Sequence, residues 1–109
     1  MRWYRDLYLG PSVSGELPKI RKKAALGVGM VGVYYITVSS VPGNLLDIFH
    51  NGMLKQPLFR KVQCKDIVGV AMGKQEAFGL AGTILMELYD KTKGFDIRSY
   101  FKEEDFEDD

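Results

Sequence analysis

Asp47, His50 and Cys64 are the residues whose types could carry covalent chemistry. A nucleophile of this kind needs a base within hydrogen-bond reach, and the base needs a third group to orient it. Cys64 is the single cysteine, His50 the single histidine, and Asp47 lies three residues before it. On a helix that spacing sets Asp47 and His50 on one face. Nothing in the sequence brings Cys64 to them, and a lone cysteine commonly packs as a small apolar side chain. A histidine near a helix end is better explained as a C-terminal partner of the helix dipole than as a base. No catalytic residue is therefore assigned. One cysteine and one histidine also exclude an internal disulfide and a Cys/His zinc site within one chain. No cofactor and no metal are implied.

Anion binding is the next chemistry to weigh. Gly69-Val70-Ala71-Met72-Gly73-Lys74-Gln75 has the look of a phosphate loop. It has three residues between its glycines where the loop needs four, and Gln75 stands where Ser or Thr should hold the metal. A glycine-punctuated turn from strand to helix explains it better. The weaker possibility is a single anion held by Gly73, Lys74 and Gln75 at an electropositive helix start. Asn44, in the Pro42-Gly43-Asn44 turn, would join them if the two preceding strands are parallel, because open α/β sheets place ligands at one strand end. A polar pocket joining Asn44, His50 and Lys74 would mark such a site. A filled apolar interior there would leave interaction as the remaining role.

Two surfaces could serve larger partners. Lys19, Arg21, Lys22 and Lys23 form a basic helix face that could neutralise nucleic-acid phosphates, though a solvated helix face is commoner. Trp3, Tyr4 and Tyr8 make the amino end aromatic and suit a packed arm or a dimer contact. The formal net charge of +1 conceals an asymmetry: residues 1–27 carry +4, residues 28–94 carry +2 and residues 95–109 carry −5. The acidic end could cover the basic patch in the same chain or in a neighbour.

The elements that position these groups are organised around Met30–Val41. It is dense in Val, Ile, Tyr and Thr, and apolar at both parities, as a central strand is. Charge is absent from Ala24 to Leu46, after Arg21-Lys22-Lys23. A membrane span is rejected because the apolar part ends near Val38, short of the roughly 20 residues required. The head is also too rich in acids and aromatics for a signal peptide. Trp3, Tyr4, Leu7 and Tyr8 recur at i, i+1, i+4 and i+5, which predicts a short helix or packed arm over Met1–Leu9. A helix is predicted over Pro18–Leu26, with Pro18 in its first turn and Gly27 as its stop.

Asn44 and Asp47 read as the capping pair of a short helix closed by Asn51-Gly52. Leu58–Gln63 fits an edge strand or a loop. Ile67–Met72 is a continuous apolar run, predicted as a buried strand. Gln75–Thr92 is the strongest helix, with Ala77, Leu80, Ala81, Ile84, Leu85 and Leu88 along one stripe, Phe78 and Tyr89 flanking it, and Gly94 as its cap. Gly79 and Gly82 are expected to let that helix approach the sheet. Phe95–Phe101 alternates like a third strand. Lys102–Asp109 is expected to be an acidic disordered tail after a single α/β domain of residues 1–101.

The fold class that follows is α/β: a two-layer sandwich with a small sheet of three to four strands and about three helices. The alternative is a ferredoxin-like β-α-β-β-α-β order with an added N-terminal helix. Trp3-Tyr4-Arg5-Asp6-Leu7-Tyr8, Asn44-Leu45-Leu46-Asp47 and Phe95-Asp96-Ile97-Arg98 together resemble a family of small uncharacterised bacterial α/β proteins. That resemblance implies no assigned activity and no catalytic residue. The functional expectation is a non-enzymatic cytoplasmic module acting by protein–protein contact, as a homodimer through its aromatic arm or a sheet edge. The alternatives are an accessory nucleic-acid-binding protein and a binder of small anionic ligands.

Overall fold

The computed structural model describes every residue except 29, 40, 42, 57–63 and 109. The ambiguous Leu58–Gln63 segment lies outside the described residues. The elements are β1 (Arg2–Leu9), α1 (Leu17–Ala25), β2 (Val33–Val38) and β3 (Leu46–His50), a 3-10 turn (Asn51–Lys55), then β4 (Asp66–Met72), α2 (Lys74–Thr92) and α3 (Ile97–Tyr100). A second 3-10 turn (Glu103–Asp105) leads to β5 (Phe106–Asp108). The strands form one mixed sheet in the order β3-β2-β4-β1-β5. Among the described residues, β1 and β4 pair in parallel, and β1 with β5, β2 with β3 and β2 with β4 pair antiparallel.

The predicted central strand is present as β2, and the apolar run at 67–72 forms β4 in the middle of the sheet. Both are apolar on two faces because helices cover both faces. On one side Trp3, Val33, Tyr35, Ile67 and Val70 pack with Ile20 and Ala24 of α1. On the other, Ile36, Val38 and Val68 pack with Ala81, Ile84 and Leu88 of α2, and with Ile97 and Phe101. The two-layer expectation is thus corrected to a sheet sandwiched between helices. Among the described residues, the helix that the ferredoxin-like alternative expects after β2 is the strand β3, and the strand it expects at 95–101 contains the helix α3.

Three further expectations are corrected, and the first and third share a physical cause. Met1–Leu9 is not a helix: Arg2–Leu9 is packed into the domain as the strand β1. A spacing of four satisfies a period of two as well as one of 3.6, so Trp3 and Leu7 reach one face while Tyr4 and Tyr8 reach the other. Leu46–His50, expected to be helical, is a strand paired residue for residue with β2, from Tyr34↔His50 to Val38↔Leu46. The segment is short and holds Ile and Phe, so hairpin pairing outweighs a marginal helix. Phe95–Phe101, expected to be extended, contains the short helix α3. The Asp96 carboxylate accepts from Ser99 N–H at 3.3 Å and from Ser99 Oγ at 2.6 Å, which caps it. Ile97 and Phe101, four apart, both reach the core.

The acidic end is also ordered, contrary to the expected disordered tail. Phe106, Glu107 and Asp108 pair with Tyr4, Trp3 and Arg2. Arg5 stands 3.8 Å from Asp105 and 3.9 Å from Glu107. Arg2 bridges inward to Asp66, with its Nε 2.8 Å from Oδ1 and an Nη 2.7 Å from Oδ2, and outward to Glu103. Opposite charge at the two ends of the chain is satisfied within it.

The helix predicted at 75–92 is α2. Its cap is Lys93, left-handed at φ 58°, whose N–H bonds Tyr89 C=O; Gly94 is the residue after. Gly79 and Gly82 are not the close-approach residues, because a Cβ at either would meet nothing within 4 Å. The close approach is at Gly69 of β4, where a Cβ would stand 3.2 Å from Ile84 Cδ1 and 3.3 Å from Ile36 Cδ1.

Candidate binding face along β3 and α2

Register decides which side chains meet. Tyr34 pairs with His50 on one side and Ala71 on the other, and Val33 pairs with Met72. His50, Tyr34 and the start of α2 therefore converge at one end of the sheet. There they line an open groove of about 670 Å³, bordered by Tyr34, Leu46, Ile48, His50, Met53, Lys74 and Phe78. This size and mostly apolar lining with a few polar groups are those of ligand pockets.

His50 is held in one orientation. Its Nδ1 accepts the Gly52 N–H at 3.0 Å, so the neutral ring carries its proton on Nε2. The Tyr34 ring meets it edge-on, with centroids 6.0 Å apart. A Cβ at Gly52 would lie 2.6 Å from His50 Cε1, so glycine is required there for the ring to keep its place. Lys74 Nζ lies 5.9 Å from the Phe78 ring centroid, within cation–π range. Asp47 also borders the groove, but its carboxylate accepts from Ser39 Oγ at 2.9 Å. Strand alternation sends it to the opposite sheet face from His50.

Beyond the groove the outer side of α2 is apolar. Phe78, Leu85, Met86 and Tyr89 follow one another at helical spacing, beside the buried stripe of Ala77, Ala81, Ile84 and Leu88. Phe78 is 56%, Met86 70% and Tyr89 47% exposed, and Phe95, stacked on Tyr89 with centroids 5.3 Å apart, is 49% exposed. Leu45, Leu85, Met86, Tyr89 and Phe95 border a second hollow of about 320 Å³. This stripe was legible in the sequence only as Phe78 and Tyr89 flanking the core face. Met86 and Phe95 were missed because nothing in a linear pattern shows which apolar residues stay uncovered.

The expected site residues fall in different places. His50 and Lys74 are brought together; Asn44 is not. Because β2 and β4 are antiparallel, the turn holding Asn44 and the turn holding Gly73 lie at opposite ends of the sheet. Gly73 (φ 85°), Lys74 and Gln75 are exposed at the start of α2, yet Glu76 already supplies an anion there. Its carboxylate accepts from Met72 N–H at 2.7 Å and Ser12 N–H at 3.2 Å. The Met72 bond first, and the Ser12 bond with it, hold that carboxyl below the usual range.

Asp47, His50 and Cys64 do not assemble. Cys64 sits near Arg98, with Nη 3.8 Å from Sγ, and beside Asp66 at the far end of β4. From Asp66 to Ala71, the level of His50, is about 16 Å at strand rise. Burial pushes the Cys64 thiol up, away from a reactive thiolate. Asp66 is raised by burial, but the bonds from Arg2 and Arg98 outweigh this and leave it lowered. That cluster joins β1, β4 and α3 by charge.

Of the basic face, Lys19 and Lys22 are exposed and Lys23 half-buried, while Arg21 lies over the Trp3 ring, 5.0 Å from its centroid. Trp3 is wholly buried, and Tyr4 and Tyr8 are half-buried against Phe101. The aromatic residues of the amino end thus pack within the domain. Among the described residues, no group of three His, Cys, Asp or Glu could hold a metal ion, and no helix is long and apolar enough to cross a membrane.

No protein-family model, curated protein or solved structure matches the chain.

Proposed function

We propose that this chain is a non-enzymatic binding module that pairs with a second copy of itself through the outer stripe of α2. The observation that carries the reading is the uncovered apolar run of Met86, Tyr89 and Phe95, continuous with Leu45 and Leu85. An aromatic side chain carries roughly 150–250 Å². Phe78, Tyr89 and Phe95, each about half exposed, thus leave on the order of 300 Å² of ring in water. Met86 adds to it. Apolar patches of this kind mark contact sites. A helix stripe is self-complementary about a two-fold axis, which favours a closed dimer over an open chain of copies. The aromatic arm is less suited to this contact, because Trp3 is core.

A cytoplasmic location and kinship with small bacterial α/β proteins belong to the same proposal. They rest on the single free thiol and on the sequence resemblance.

Light scattering across a concentration series tests the pairing. The native chain is expected to approach twice the mass of 12.3 kDa, and Met86→Lys to remain a monomer at the same concentration. A native chain that stays monomeric at millimolar concentration removes the dimer from the proposal.

A further inference from the structure

We propose that the groove between β3 and the first turns of α2 binds a small organic carboxylate with an aromatic or branched aliphatic body. The groove is large enough for one, at about 670 Å³. Its walls, from Leu46, Ile48, Met53 and Phe78, suit an apolar body. Two donors line it, Lys74 and His50. Lys74 is a cation with no carboxylate partner among the described residues. His50, with Nδ1 occupied by Gly52, offers Nε2–H as a donor. A carboxylate accepts from both, by one charge-assisted and one neutral hydrogen bond. The nearby acids do not oppose it: Asp47 is engaged by Ser39, and Glu76 by Met72 and Ser12.

The site is built rather than incidental. A Cβ at Gly52 would displace the His50 ring from its place, and the Tyr34 ring meets it edge-on from the sheet. The His50 Nδ1 bond to Gly52 N–H also caps the turn that follows β3, which fixes the ring. The carboxylate site shares Phe78 with the pairing face, but Met86, Tyr89 and Phe95 lie outside the groove lining, so Met86 can be changed without touching the groove.

Amide and side-chain chemical-shift titration of the full chain tests this. Phenylacetate and isovalerate are the probes, phenylacetamide is the control lacking charge, and inorganic phosphate is the control lacking a body. The carboxylates are expected to move the Tyr34, His50, Lys74 and Phe78 signals, with both controls at least tenfold weaker. Lys74→Gln changes an exposed residue and leaves the core intact; it should weaken phenylacetate at least tenfold. Gly52→Ala should weaken it similarly and alter the Nε2–H pattern of the His50 ring. Met86→Lys should leave phenylacetate binding unchanged, so that pairing and ligand binding fail separately. Absence of any shift at millimolar probe, equal binding of phenylacetamide, or unchanged binding to Lys74→Gln would overturn the proposal.

Discussion

Tyr35 carries the sharpest conflict within a single side chain. Its ring packs beside Phe49 and Trp3, with centroids 5.2 and 6.3 Å away. Its hydroxyl is buried and has no hydrogen-bond partner among the described residues. A buried polar group left unpaired costs about 1–3 kcal/mol. Tyr35→Phe keeps the ring and removes the cost. It is therefore expected to raise stability by about 1 kcal/mol in urea unfolding; a loss of stability would show that the hydroxyl has a partner. Burial also pushes the phenol from its ordinary 10 up to about 12. A raised value means this group's contribution is intact below pH 10 and is lost as pH rises through 12. Tyr35→Phe should remove that part of the alkaline loss. At this scale the sequence was informative about types and silent about neighbours. His50 and Lys74 could be named as candidates, but Asp66 meets Arg2 64 residues away and Arg98 32 residues away. No local pattern encodes that.

Among the elements, β2 and β4 were legible as continuous apolar runs rich in β-branched residues, and α1 and α2 as a helical period with punctuation at its ends. The segments misjudged were short and rich in residues four apart. Trp3/Leu7, Tyr4/Tyr8 and Ile97/Phe101 fit a strand and a helix equally, and pairing or packing made the choice. The glycines of α2 were misjudged for a related reason. A sequence shows that a helix contains glycine but not which way it faces. Gly79 faces open space, so a methyl group there costs nothing in packing. Gly79→Ala is expected to stabilise the chain by about 1 kcal/mol. That corresponds to a rise of roughly 4 °C in Tm for a chain of this size. Thermal melting by circular dichroism checks it, and a fall in Tm would mean that the helix does use the gap.

For the whole molecule, the consequence of the sheet order is that both ends of the chain are structural. β1 lies between β4 and β5, and the acidic end closes the sheet beside it. Trp3 is the single tryptophan and is wholly buried under Arg21. Its fluorescence should therefore report global unfolding, not fraying of a terminus. The denaturation midpoints from Trp3 emission and far-ultraviolet circular dichroism are expected to coincide. An earlier Trp3 transition would separate β1 from the cooperative unit. The amino-acid sequence alone determined the α/β class, the two doubly apolar strands, the long helix and the exclusion of a disulfide or Cys/His zinc site, because these depend on composition and local period. Tertiary structure decided the strand order, the two-sided core, the ordering of the acidic end and the meeting of His50 with Lys74. Those depend on which distant segments pair, and pairing free energy belongs to contacts that no window of neighbouring residues contains.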